Sequence, residues 1–363
     1  MLLKSESVQL KGVAIMTMVF LHLFNRAENV DLCINSVYLF NIPLTSQLAK
    51  FAEICVPLYL FLSGYGLYIL YLKNNNISPS RRIFKLYLNF WTVFIIFIPL
   101  GCFLKPDQYP GNLLNIVENV TAWRTSYNWE WWFIFPYIIL LSFANVLFKC
   151  IRQYGFWSIV VSSSMIYVVS YLCISFYKSY LLENYLIFII LESFEMVCSF
   201  VWGALFVKYD IFGKIERTFN FKSNYATVIG ILIIIGLILV RSIIPIHAAR
   251  ILFMIAFVCS YMLLKRNTMI NVFLMNIGEK STAIWLIHTF FCYYFFHDFI
   301  YGFKYPIVIF VVTFLLSYVS ALFIDNLYYC LIYSNWNNFK SSSIICVRYN
   351  SRIKFFLYKS SIR

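Results

Sequence analysis

The sequence predicts an all-α, polytopic integral membrane bundle of about ten transmembrane helices. Three observations carry that expectation. Of 363 residues, 62% are hydrophobic and only 12% charged, where a soluble domain carries about 25% charged residues. Almost every stretch between charge clusters is long enough to cross a hydrocarbon core of about 30 Å, which takes roughly 20 residues at 1.5 Å each. The stretches left over are too short for a sizeable soluble domain.

In order, the apolar runs place spans at approximately 8–24, 48–72, 86–105, 130–149, 156–177, 186–207, 226–244, 248–264, 277–297 and 305–333. The first run carries Lys11 early and His22 late, and no small-x-small site follows it, so it is expected to be retained as a span rather than cleaved as a signal. The eighth span is the least regular, because Arg241, Pro245, His247 and Arg250 crowd the turn before it; nine or eleven spans also fit.

Charge sets the expected orientation. Lys73, Arg81, Arg82 and Lys85 fall in the 73–85 connection, and further Lys and Arg residues lie at 149–155, 208–224, 265–276 and in the tail; the alternate connections at 25–47 and 106–129 hold few. The positive-inside rule then puts both termini in the cytoplasm of a multi-pass cell-membrane protein, in agreement with an even number of spans. Trp123, Tyr127, Trp129, Trp131 and Trp132 form an outer interfacial belt, and residues 334–363 form a basic cytoplasmic tail against the anionic inner leaflet. The net charge of +14 is thereby a matter of topology and partnership with the lipid bilayer, and no nucleic acid is expected. The ten cysteines lie mostly within apolar runs without CxxC spacing, which argues against a disulfide framework.

Polar groups inside spans cost about 2.5–3.5 kcal/mol on insertion scales, so each is a candidate for function. Four places stand out. Lys11 and His22 are eleven residues apart, which puts them on one helix face and roughly 16 Å apart along the axis. That face suits a transfer across the membrane; a snorkelling lysine with an interfacial histidine suits it equally, and spacing does not choose. Glu53 precedes Pro57 and the Ser63-Gly64-Tyr65 group, whose small residues fit close helix packing better than a serine nucleophile. Glu192 and Glu195 share a face of the sixth span and would repel if both were ionised. His288 lies about eleven residues into the ninth span, near mid-membrane.

Six segments in order resemble the membrane acyltransferase 3 family. Leu10-Lys11-Gly12-Val13-Ala14-Ile15 leading to His22 resembles its opening motif of a basic residue, ten residues and a histidine. Val56-Pro57 through Ser63-Gly64-Tyr65 resembles its second-span signature, and Arg81-Arg82-Ile83-Phe84-Lys85 its basic cluster. Trp131-Trp132-Phe133-Ile134, Trp202-Gly203-Ala204-Leu205, and Ile277-Gly278 through Ile287-His288 resemble its aromatic, glycine-bearing and late histidine segments. The likeness covers nearly the whole chain, with residues 1–333 as the acyltransferase domain. One departure is that the opening basic residue, commonly arginine, is Lys11, which offers no bidentate fork. The hydrolase-like extracytoplasmic domain of some members is not expected here.

The resemblance implies acyl transfer from cytoplasmic acyl-CoA, most simply acetyl-CoA as donor substrate and without a metal, to a carbohydrate hydroxyl of a cell-surface polysaccharide or its precursor. Richness in Ile, Asn, Lys, Phe and Tyr suggests an AT-rich bacterial genome, which tilts the acceptor toward capsule or another exopolysaccharide and leaves lipopolysaccharide, teichoic acid and peptidoglycan open. A sugar hydroxyl needs a base, for which His22 is the candidate. The developing oxyanion needs a cation, with Lys11 the candidate, although the helix alone leaves it too far from His22 to act on one atom. Arg81, Arg82 and Lys85 suit the CoA phosphates, or alternatively serve topology alone. Glu195, His288, Ser63 and Tyr65 are supporting candidates for orienting His22 or holding the acceptor. The competing readings are a transporter or flippase of lipid-linked sugars, which predicts internal repeats and Gly/Pro-broken helices in matching halves, a symmetry the sequence does not display, and a polymerase, for which the 106–129 loop is small.

Overall fold

The computed structural model describes residues 2–243 and 247–337, side chains beyond 328 excepted. It is all-α apart from one small hairpin. In chain order the helices are α1 (Lys4–Phe24), α2 (Ala27–Asp31), α3 (Leu44–Ala52), α4 (Cys55–Asn74), α5 (Pro79–Leu104), α6 (Leu113–Val120), α7 (Ile134–Gln153), α8 (Phe156–Glu183), α9 (Tyr185–Lys208), α10 (Ile211–Phe219), α11 (Asn224–Ile243), α12 (Arg250–Leu263), α13 (Thr268–Glu279), α14 (Ser281–Thr289), α15 (His297–Tyr301) and α16 (Pro306–Asn337). Strands β1 (Tyr38–Leu39) and β2 (Ile42–Pro43) pair antiparallel in the connection after α2. A 3-10 turn, Trp129–Phe133, leads into α7, and a π-helical turn, Phe290–Phe295, follows α14.

Among the described residues, eight helices are long and apolar enough to cross a membrane. They include α1, α5, α8, α9, α11, α16, the α3–α4 pair, and α7 with the turn before it. The other two passages depart from the expected spans. Residues 248–264 contribute the 14-residue α12, about 21 Å long and short of a 30 Å core. The expected span at 277–297 instead begins at Thr268 and is interrupted at Lys280, between α13 and α14. Helix ends also differ from the apolar runs. Pro79 sits in the first turn of α5, where its missing N–H costs nothing, so the helix starts early and carries Arg81, Arg82 and Lys85 in its first two turns rather than in the preceding connection. The basic tail expected over 334–363 lies outside the described residues beyond Asn337.

Lipid supplies no hydrophobic drive between helices, so association depends on close backbone packing. Two pairs of glycines provide it. A Cβ on Gly64 would stand 1.9 Å from the Phe200 carbonyl oxygen, and one on Gly203 would stand 2.0 Å from that of Phe61. α4 and α9 therefore touch backbone to backbone in both directions. Gly12 and Gly278 do the same for α1 and α13, at 2.3 Å from the Leu274 oxygen and 1.9 Å from the Val8 oxygen. Every one of these glycines belongs to a segment that the family resemblance rests on, so part of the motif's meaning is steric.

Two apolar clusters result. One gathers Phe61, Phe148, Phe200 and Phe206 around α4, α7 and α9. The other gathers Val19, Phe90, Trp131 and Phe290 around α1, α5 and α14. Met16, Val56 and Tyr59 pack against both, and the candidate site opens at this seam.

Replacing Gly64 or Gly278 by Leu forces a side chain onto backbone and is expected to cost about 3 kcal/mol or more. A cavity-side control, Gly66→Ala, meets nothing within 4 Å and leaves stability unchanged. Thermal unfolding in detergent checks both.

Candidate active site

α1 lines a cavity of about 770 Å³ with Lys4, Lys11, Met18 and His22. Lys4 and His22 are 18 positions apart, about 27 Å of helix, so the cavity follows most of a membrane thickness. Its walls also include Tyr59 and Ser63 of α4, Arg82 of α5, Glu130, Tyr137 of α7, and Ser281, Thr282 and Trp285 of α14. The interruption at Lys280 aims the first turn of α14 at this space; an ion pair between Lys280 and Asp325 at 2.6 Å holds the interruption against α16.

His22 stands at the far end of that cavity from Lys4, with a partner on each ring nitrogen. Its Nε2 lies 3.1 Å from Oε2 of Glu130. Its Nδ1 lies 2.7 Å from Nε2 of His288, and the two rings are nearly parallel with centroids 5.0 Å apart. On the other side of His288, Nδ1 faces the carbonyls of Ile284 at 3.0 Å and Trp285 at 2.9 Å. Carbonyls only accept, so His288 Nδ1 bears a proton. One proton is then shared in each of the two remaining hydrogen bonds, Glu130–His22 and His22–His288. Wherever those two protons sit, the three side chains together carry no net charge, which suits a site inside a bilayer.

Glu130 is held as firmly as the histidines. Asn128 Nδ2 donates to Thr289 Oγ1 at 2.8 Å, Trp131 Nε1 to the Leu286 carbonyl at 2.9 Å, and Trp285 Nε1 to the Glu130 carbonyl at 3.3 Å. These three bonds clip the 3-10 turn onto α14. The Tyr293 hydroxyl donates to the His22 carbonyl, and Tyr301 donates to that of Leu23 at 2.7 Å, which secures the end of α1. The sequence does not single out Glu130, because it sits among Trp129, Trp131 and Trp132, where an interfacial belt accounts for the residues. A lone carboxylate within that belt was the available signal.

The other expected site residues fall in different places. Lys11 lines the same cavity but lies three helical turns from His22. Arg82 lines it too, and also lines an adjoining hollow of about 310 Å³ with Asn74, Ser78, Arg81 and Lys85. The turn at that hollow is clipped to α7 by Asn145, whose side chain accepts from the Ile77 N–H at 3.0 Å and donates to the Ile77 carbonyl at 3.1 Å. Ser63 shares a 2.6 Å hydrogen bond with the Tyr137 hydroxyl, and the Tyr65 hydroxyl accepts from the Leu2 N–H at 2.8 Å. Both touch the cavity, and both are already engaged in joining elements. Glu195 pairs with Arg250 rather than with His22. Among the described residues, no group of three or more His, Cys, Asp or Glu is arranged to hold a metal ion.

The short α12 explains the pairing of Glu195. That residue is ten positions into α9, about 15 Å from its start, so Arg250 at the head of α12 enters at mid-bundle depth. A bare guanidinium there is costly, and Glu195 offsets it. The end of α11 follows the same rule: Arg241 donates to Glu53 Oε2 at 2.5 Å and to the Lys50 carbonyl at 3.2 Å, and His247 Nδ1 lies 2.9 Å from the same carboxylate oxygen. Glu53 occupies the break between α3 and α4. Glu195→Ala is expected to destabilise the protein by about 3 kcal/mol or more, and Arg250→Met in the same chain to restore most of the loss, read as recovery of the melting temperature.

Neither a curated relative nor a solved structure matches the chain. The model of the acyltransferase domain matches residues 9–325, a range that contains Lys11, His22, the basic cluster, Glu130 and His288. On that match, across far more than half of its length, the protein belongs to the acyltransferase 3 family.

Proposed function

We propose that this membrane acyltransferase moves an acetyl group from cytoplasmic acetyl-CoA to a hydroxyl of a cell-surface polysaccharide or its precursor, capsule or another exopolysaccharide being the favoured acceptor. The observation that carries the reading is one cavity with unlike ends: Lys4, Lys11 and Arg82 toward one, His22 with Glu130 toward the other. With both termini cytoplasmic, the cationic end faces the compartment that holds CoA.

CoA is a polyanion on a long flexible arm. Arg81, Arg82 and Lys85 around the smaller hollow suit its phosphates, as charge-assisted and bidentate contacts. From there the pantetheine arm follows the α4 wall past Lys11 toward His22. Lys11 lies too far from His22 to stabilise an oxyanion there, so its role on this geometry is to draw the donor inward.

At His22 the acceptor hydroxyl attacks the thioester carbon. The new C–O bond forms as the C–S bond breaks, the hydroxyl proton passes to the His22–Glu130 pair, and CoA leaves as a thiolate that is then protonated. Both nitrogens of the ring are engaged in the resting protein, so the hydroxyl either displaces Glu130 from Nε2 or delivers its proton through the Glu130 carboxylate. His288 holds the ring's other nitrogen and so fixes its orientation, a positioning role.

Purified protein in nanodiscs with labelled acetyl-CoA tests the reading. His22→Ala is expected to lose acetyl transfer by roughly 10²–10⁴-fold, and Glu130→Gln to lower kcat while leaving the KM for acetyl-CoA in place. Arg81→Ala with Arg82→Ala is expected to raise that KM on the order of tenfold or more. Undiminished surface acetylation in cells carrying His22→Ala at normal protein levels rejects the assignment. Sugar translocation without any acetyl transfer favours a flippase instead.

A further inference from the structure

The cavity wall below His22 contains two charged side chains that the steps above leave unused, Glu53 and Arg250. We propose that they form the acceptor subsite and that this subsite takes an uncharged sugar ring; the proposal rests on the acyl-transfer reading.

Position comes first. Glu53 is two residues before Cys55, which packs in the same cluster as Ile15 and Met18 of α1. Met18 is one helical turn, about 6 Å, below His22. Glu53, Arg250, Met18 and His22 line the same cavity, so a sugar ring seated against the charged pair shares the space that the histidine faces.

Charge then separates this wall from the donor end. Lys4, Lys11 and Arg82 have no carboxylate within ion-pair distance among the described residues. Glu53 and Arg250 are each neutralised from behind, Glu53 by Arg241 at 2.5 Å and Arg250 by Glu195. The donor end attracts anions. The wall near His22 carries hydrogen-bonding capacity with its charge already cancelled.

That capacity fits a polyol. Arg241 and His247 both engage Oε2 of Glu53, and Oε1 accepts no hydrogen bond among the described residues. A carboxylate oxygen of this kind accepts from sugar hydroxyls, and Arg250, with N–H groups beyond the one given to Glu195, donates to them. A ring bearing its own carboxylate would face Glu53 and Glu130, while the cations without a carboxylate partner, Lys4, Lys11 and Arg82, belong to the donor end of the cavity, so it would lose its hydration without recompense.

The test uses two soluble probes, methyl α-D-glucopyranoside and methyl α-D-glucuronide, as acceptors for labelled acetyl-CoA with the full chain in nanodiscs. The expected result is transfer to the glucoside at a kcat/KM at least tenfold above the glucuronide. Glu53→Gln is expected to raise the glucoside KM at least fivefold with the acetyl-CoA KM unmoved, and Glu53→Asp to recover part of the loss. Since Glu53→Gln leaves Arg241 short of an anion, Glu53→Gln with Arg241→Gln keeps the pair neutral and reads the same KM in a protein that folds. An unchanged glucoside KM in the double variant makes the pair purely structural and overturns the subsite. Equal use of the glucuronide, or hydrolysis of acetyl-CoA with transfer to neither glycoside, overturns the assignment of an uncharged ring. Failure of the wild-type protein to turn over acetyl-CoA at all rejects the acyl-transfer reading itself, and the subsite with it.

Discussion

His22 is bonded at both ring nitrogens, to Glu130 and to His288, and much of the bundle is arranged so that these three side chains can meet. They come from the first helix, from the turn before α7 and from the broken passage near the end of the chain. Each has its own anchor. α1 is pressed against α13 by Gly12 and Gly278, the Glu130 turn is clipped to α14 by three hydrogen bonds, and His288 is fixed by the carbonyls one turn back on its own helix. In water such a chain of polar groups would compete with solvent. Within a bilayer its alternatives are unsatisfied groups, so the arrangement holds as a unit with no net charge.

The same constraint accounts for the irregular helices. A helix that crosses a membrane unbroken satisfies its own backbone and presents only side chains. Here the breaks occur where the cavity needs polar groups. Glu53 sits at the break between α3 and α4, and Lys280 at the break between α13 and α14. The short α12 brings Arg250 to mid-bundle depth, where Glu195 meets it. Buried charges of this kind contribute little net stability when paired and cost much when one partner is lost. Their presence beside a cavity is better accounted for by what the cavity must bind.

Two features of the sequence had a plain reading that the structure enlarges. The Ser63-Gly64-Tyr65 group predicts close packing in the second span; in the structure Gly64 is one of four glycines that, in two reciprocal pairs, bring four helices into backbone contact. In the sequence the basic cluster falls in a connection before an apolar run, where topology and phosphate binding account for it equally well. It lies instead on the first turns of α5, where a helix presents Arg82 to the main cavity and Arg81 and Lys85 to the hollow beside it. Glu130 was hidden for the opposite reason, since aromatic neighbours gave its segment a sufficient explanation.

The sequence by itself determined the solvent of this protein and the axial position of its polar groups. Hydropathy and charge are properties of consecutive residues, and a rise of 1.5 Å per residue converts them directly into depth. Lys11 and His22 were therefore legible as two levels of one helix face. Which residues meet at one level was decided only by the tertiary structure. His22 and His288 are 266 positions apart and Glu53 and Arg241 188 apart, and no local periodicity connects them. Their meeting depends on how closely backbones pack and where helices break, and these follow from contacts between distant segments that a linear pattern does not contain.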